Sequence, residues 1–224
     1  MCSKSPSDQP RPSARHAAGT DPAKRSQIMA GAWSVFLEHG FDAASMNQIC
    51  KAAGVSKSTL YVYFNDKQDL FVALIEARSQ AFLIDIRANL TQSGTQFSRL
   101  LAAALSLSRL ITSVEVIRVQ RIVISVADRM PDLIRRFYEA GAENFLKVLA
   151  DWLAAENAAS RMVVPDPDLA AHQFAELVTA GLWRKQLLGY RGGPPAPADI
   201  EAVARAGVGV FLAAYGRGPD CASA

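Results

Sequence analysis

Two helix-start signals, at Ser45 and Ser56, stand close together with Gly54 between them, and this spacing constrains the chain more than anything else in it. Ser45-Met46-Asn47-Gln48 has the S-x-x-Q form in which a serine hydroxyl and a glutamine side chain each satisfy backbone N–H groups at a helix start. Met46, Ile49 and Ala53 then make one apolar stripe, and Gly54 supplies backbone that can turn sharply. Ser56 caps a following helix from Lys57 to Phe64, so two short helices meet across a turn too brief for anything but a fixed bend. Upstream, Asp21-Pro22 opens a helix carrying Ile28, Ala32, Trp33 and Phe36 at helical spacing until Gly40. Downstream, Asn65 or Asp66 opens a fourth helix through Leu70, Phe71 and Leu74, continuous to about Leu90.

With Ile49, Val55, Leu60 and Phe64 turned inward to fix the bend, the second short helix shows Lys57, Ser58, Thr59, Tyr61, Val62 and Tyr63. That face is rich in hydroxyls and has no acid. Hydroxyls donate to phosphate oxygens, and Lys57 reaches a guanine edge or a phosphate. Lys67, near a helix N-terminus, adds its charge to the backbone N–H groups there as a phosphate clamp. Ser45, Met46 and Asn47, at the start of the first short helix, complete the expected DNA-contacting set.

Residues 45–71, SMNQICKAAGVSKSTLYVYFNDKQDLF, resemble the DNA-binding module of the tetracycline-repressor (TetR) family of bacterial regulators. The likeness rests on Ser45, Ile49, the Ala53-Gly54-Val55-Ser56 turn, Thr59-Leu60-Tyr61, Tyr63-Phe64, and Lys67 with Leu70-Phe71. With the first helix and Gly40-Phe41 it covers about residues 22–75. Beyond, only length, helix count and a weak pattern around RMPDLIRRFYEAG, residues 129–141, follow the family. The resemblance implies a homodimer on a pseudo-palindromic operator in double-stranded DNA, released by a small-molecule effector. Cys50 stands where the family usually has alanine, Ser58 where it often has glycine and Val62 where it often has histidine, so preferred bases do not transfer. Cys50 reads as core or as a redox-sensing thiol.

The rest of the chain is expected to be helical. Residues 114–127, VEVIRVQRIVISVA, fit a period of two as well as 3.6; their length without a turn signal and the lack of partner strands favour a helix. Pro131 starts a helix running through Phe137, Phe145 and Trp152, and Pro165-Asp166-Pro167 restarts one to about Leu188. RGGPPAP, residues 191–197, is a breaker before a last helix from Asp199 to Tyr215. The expected fold class is all-α, with a three-helix helix-turn-helix DNA-binding domain and a larger helical ligand-binding and dimerisation domain. Expected boundaries are a flexible arm at 1–20, the DNA-binding domain at 21–67 with its motif at 45–64, the second domain at 68–217, and a tail at 218–224.

Arg118, Gln120, Arg121, Asn144 and His172 interrupt apolar helical runs, and Phe137 and Phe174 lie among many aliphatics. Such residues line an effector cavity or belong to surface and core. The apolar helices near 168–188 and 199–215 bury little alone, and pairing with a second copy gives a four-helix interface. Gly207 and Gly209 lack the strand and lysine of a phosphate loop and read as sites of close helix approach.

Net charge is only +3, with eight Lys/Arg and five Asp/Glu in residues 1–67 and balance beyond, so charge alone permits nucleic acid without demanding it. No uncharged stretch reaches the roughly 18 apolar residues of a membrane span, and the N-terminus lacks the apolar block of a secretory signal, so a cytoplasmic location is expected. Cys2, Cys50 and Cys221 form no metal-ligand pattern, and His16, His39 and His172 have no catalytic partners at motif spacing. No catalytic residue, metal site or cofactor is therefore expected. A sequence-specific transcription regulator, most naturally a ligand-released repressor, is the reading; an activator, a chromosome-organising factor and a helical ligand-binding protein without an operator are the alternatives.

Overall fold

The computed structural model describes residues 19–190 and 192–217, so the expected tail and nearly all of the expected arm, with Cys2, His16 and Cys221, lie outside them. The described chain forms α1 Pro22–Ala43, α2 Met46–Ala53, α3 Lys57–Tyr63, α4 Lys67–Thr91, α5 Gln96–Ile111 and α6 Val114–Val126. It continues as α7 Pro131–Tyr138, a π turn Glu139–Glu143, α8 Asn144–Ala158, α9 Pro167–Val178, α10 Trp183–Leu187 and α11 Pro197–Tyr215. The fold is all helical; the one β-type pairing among the described residues is an isolated bridge between Met162 and Gly216.

Short polar side chains set the helix starts. Asp21, Ser45, Ser56, Asp66, Thr95, Ser113 and Asp166 each accept a backbone N–H of the first turn that follows, a donor the helix itself cannot satisfy. The β-branched run at 114–126 is helical, with Ile117, Val119, Val123 and Val126 buried. Two expected helices are interrupted. The one begun at Pro131 passes through the π turn before α8. The one expected to reach Leu188 stops at Val178, where the Thr179 hydroxyl bonds back to the Ala175 carbonyl and Gly181 takes φ +70°, and it restarts only as α10.

Apolar side chains collect into two cores. The first joins α1–α3 and Leu70–Ile75 of α4 to Val119, Val123 and Val126 of α6 and to Leu133 and Ala140 near the π turn. The second joins Leu83, Ile86 and Leu90 of α4 to α5, α8, α9 and α11. Helix α4 thus belongs to both; its 25 residues span roughly 37 Å at about 1.5 Å each. At the crossing of α9 and α11, a Cβ on Gly207 would lie 2.8 Å from the Leu177 carbonyl, as close helix approach requires, whereas Gly209 faces open space. No single helix among the described residues is long and apolar enough to cross a membrane; α5 and α6 pass such a test only jointly and are bent by 62°.

A buried carboxylate ties three helix ends together. Glu156 of α8, 3% exposed, accepts two N–H bonds from Arg161 at 2.6 and 2.8 Å and one from Gln96 at the start of α5 at 3.2 Å. Gln96 also donates to the Arg161 carbonyl, and Val163 N–H bonds to Tyr215 at the end of α11. The Arg161 hydrogen bonds hold the Glu156 carboxyl below its ordinary pKa against the opposing effect of burial. Because the folded pKa is lowered, this contribution is present above the ordinary carboxylate range and is lost as pH falls through the folded value. Glu156→Ala should cost about 1.5–3 kcal/mol at neutral pH. In urea melts the gap between variant and wild type should narrow in acid; a gap independent of pH would show that the ion pair contributes nothing.

Candidate nucleic-acid interface and ligand groove

Three contacts set the angle between α2 and α3. Gly54 occupies the left-handed region at φ +62°, ψ +37°, ending α2 and letting the chain reverse within two residues. Helices α1 and α2 cross so closely that a Cβ on Gly31 would lie 2.6 Å from the Ala53 nitrogen. Beside that crossing, Gln27 Nε2 of α1 donates to the Ala53 carbonyl at 2.6 Å. Leu60, fully buried, then pins α3 against Ile49, Phe36 and their neighbours in the first core.

With Leu60 inward, α3 turns Lys57, Ser58, Tyr61 and Val62 outward, the last two 45% and 52% exposed. These positions share one helical face. Thr59 and Tyr63 are half-buried, and Tyr63 packs on the core. The Ser56 hydroxyl bonds those of Ser58 and Thr59 at 2.9 and 2.8 Å, and the Lys57 ammonium lies 6.0 Å from the Tyr61 ring centre. At the start of α2, Ser45 and Gln48 close the expected reciprocal cap, while Asn47 is exposed and Met46 half-buried. A Cβ on Gly19 would lie 3.2 Å from Val62 Cγ1, so the chain enters α1 from beside this same face. Cys50 is half-buried and packs against the first core.

Lys67 requires a correction. Its ammonium donates to the carbonyls of Phe41, Asp42 and Ala44 and sits 4.5 Å from the Phe41 ring centre, so all three donors close the end of α1 rather than face outward. Burial pushes the ammonium below its ordinary pKa, with Asp42 opposing.

The seven effector residues expected from sequence do not converge on one cavity. Arg118 and His172 are exposed on α6 and α9, and Phe174 is wholly inside the second core. Arg121 donates to the carbonyls of Gln186 and Leu187, and Phe137 stacks on Phe71 at 6.4 Å. Gln120 accepts the indole N–H of Trp183 at 2.6 Å. Asn144 alone lines a cavity. This open groove of about 370 Å³ lies between Val72, Glu76, Ser79, Gln80 and Leu83 of α4 and Arg136, Glu139, Ala140 and Asn144 around the π turn. Its α4 wall recurs at helical spacing, a signal not used in the expected set; the opposite wall depends on the π turn, which no residue pattern announces. No group of three His, Cys, Asp or Glu side chains among the described residues is placed to hold a metal ion.

Charged contacts link the helix-turn-helix end to the rest. Arg129 beyond α6 pairs with Asp42. Arg78 of α4 covers the Trp33 ring at 3.6 Å and pairs with Glu115 of α6 at 3.2 Å.

Residues 28–74 match the family model of bacterial regulatory proteins of the tetR family, and residues 98–217 match that of the AefR-like transcriptional repressor C-terminal domain. The chain is 30% identical to the HTH-type transcriptional repressor Rv1474c of Mycobacterium tuberculosis over 160 residues, 71% of this chain and 80% of that protein. It spans only 31–40% of the length of three further curated regulators that it matches. A TetR-family regulator of Mesorhizobium loti superposes with TM-score 0.79 at 28% identity, over 87% of this chain and 98% of that one. The Flavonoid-responsive Regulator FrrA superposes with TM-score 0.71 at 33% identity, over 89% and 100%.

Lys67→Met should lower stability by about 1–2 kcal/mol through the uncapped α1 carbonyls. The salt dependence of DNA binding should stay unchanged in this variant; a slope reduced by about 0.9 would instead place the ammonium on a phosphate.

Proposed function

The chain belongs to the TetR family of DNA-binding transcriptional regulators, which are not enzymes, and from that premise we propose that it acts as a homodimeric repressor released by a small molecule. The observation that carries this reading is α3, a seven-residue helix whose only fully buried residue is Leu60 and whose outward face holds Lys57, Ser58, Tyr61 and Val62. A helix so presented enters a major groove, with Lys57 at a base edge or phosphate and the Ser58, Thr59, Tyr61 and Tyr63 hydroxyls positioned for phosphates. Ser45 and Asn47, exposed at the start of α2, and the half-buried Met46 complete the proposed contact set. Residues 21–67 form the reading unit and 68–217 the sensing and pairing unit.

Dimerisation is assigned to the outward faces of α9 and α11. Helix α11 exposes Ala202, Ala206, Val210 and Ala213, with Gly209 among them, and α9 exposes Leu169. Small residues let a second copy's helices approach closely. Two-fold pairing places two α3 helices about 34–36 Å apart, or a multiple of that, on a pseudo-palindromic operator. The effector binds the helical domain and favours a spacing of the α3 helices that no longer fits DNA. FrrA, named as flavonoid-responsive, makes flavonoids the first compounds to test. One of the partly matched regulators is named an activator, and the sign of regulation is read by reporter expression with and without the protein.

Selection of bound duplexes from random DNA should return a palindromic consensus whose affinity falls steeply with salt. Lys57→Ala should relax preference at one base pair per half-site at a cost of about 1–3 kcal/mol, and uniform loss at every base would make Lys57 a phosphate contact only. Val210→Arg should yield folded monomers in sedimentation and lose operator binding; an intact dimer would move the interface elsewhere.

A further inference from the structure

The π turn Glu139–Glu143 interrupts the α7–α8 path where that path meets α4, and the groove of about 370 Å³ opens at this point. Such turns recur at functional sites, because the extra residue leaves the helical ladder out of register. Three charged groups face the groove. Glu76 comes from α4, and no ion pair or side-chain hydrogen bond joins it to any described residue. Glu139 shares its charge with Arg135 at 3.2 Å. Arg136, the only cation of the lining, is drawn toward Asp69 at 3.8 Å. Val72, Leu83 and Ala140 supply apolar wall, and Asn144, which gives an N–H to the Ala140 carbonyl, keeps its amide oxygen as an acceptor.

We propose that this groove is the effector site and that it selects an uncharged molecule carrying hydroxyl donors on a rigid apolar skeleton, a polyphenol, over a fatty acid or acyl thioester. The assignment rests on the ligand-released reading above. The carboxylate oxygens of Glu76 and Glu139 accept hydrogen bonds, so they favour O–H groups, and such a bond to an acidic phenol is stronger than one to an ordinary alcohol. An anionic ligand meets two carboxylates and one guanidinium already shared with Asp69. The groove of about 370 Å³ lies within the roughly 300–1,000 Å³ of small-molecule sites and accommodates a compact ring system. A rigid ring system also loses less conformational freedom on binding.

The same groups offer a route to the DNA face. Asp69 of α4 accepts the backbone N–H of Asn65 at 3.1 Å, and Asn65 directly follows Phe64, the residue that ends α3. A ligand oxygen accepting from Arg136 competes with Asp69 and alters the restraint at the junction of α3 and α4.

The test uses the full chain, with a trihydroxyflavone, stearate and stearoyl-CoA as probes, reading binding by calorimetry and operator release by fluorescence anisotropy. The flavone should bind and release DNA. Glu76→Gln should weaken flavone binding about ten- to hundredfold, and Ser79→Trp, which fills the groove without changing charge, should abolish it. Both variants should bind operator normally without ligand, which reports their folding. Flavone binding unaffected by both changes would overturn the site, and stearate or stearoyl-CoA binding more tightly than the flavone would overturn the ligand class. Failure of every probe while operator binding persists would overturn the groove assignment and leave the regulator reading standing. Failure of the wild type to bind any operator would count against the regulator reading, and flavone binding would then still decide the groove.

Discussion

Helix α4 is packed into two cores at once, and the rest of the molecule depends on that double membership. Leu70, Phe71 and Leu74 lie with α1–α3, whereas Leu83, Ile86 and Leu90 lie with α5, α8 and α11. Close-packed interiors resist continuous deformation, so α4 is held from both cores at once. The first core also takes Val119, Val123 and Val126 from α6 and Leu133 from α7. The DNA-reading helices are therefore seated on the second half of the chain rather than tethered to it. Asp42–Arg129 and Arg78–Glu115 reinforce that seat, though as exposed pairs they fix orientation more than they add stability.

The geometry of the α2–α3 corner follows from crowding around small residues. Gly31 admits the Ala53 backbone, Gln27 satisfies the Ala53 carbonyl, and Gly54 turns the chain so that Leu60 can reach the core. What is left outside on α3 is polar because everything apolar enough to fold inward has done so, apart from the exposed Val62. Lys67 belongs to this architecture. By capping the carbonyls at the end of α1 it fixes where α4 begins relative to α1, a positioning role.

Helix existence was legible wherever a cap and an apolar stripe coincided, as at Asp21, Ser45, Ser56 and Asp66. The β-branched stretch at 114–126 was ambiguous by period and helical by length. Interruptions were less legible. Nothing in Glu139-Ala140-Gly141-Ala142-Glu143 distinguishes a π turn from continuing α-helix, because the difference is one carbonyl's choice of partner, made under packing against α4. Of the residues expected to hold an effector, only Asn144 lines the groove, for a related reason: where Arg118, Arg121, His172 and Phe174 face depends on helix rotation. Glu76, Gln80 and Arg136 carry no sequence signal of a site, because charged and polar residues on amphipathic helices usually face solvent.

The sequence by itself determined the all-helical class, the helix starts capped by Asp21, Ser45 and Ser56, and the short-turn helix pair, with Leu60 inward and Lys57, Ser58 and Tyr61 outward. These depend on local hydrogen bonding and on a period of 3.6, both of which are written within a few residues. Only the tertiary structure decided that Lys67 serves α1, that α4 is shared between two cores, and that Glu76, Arg136 and Glu139 face one groove. Each of these depends on which distant helix arrives alongside and at what rotation, and that is set by the packing of whole faces rather than by any residue's own neighbours in the chain.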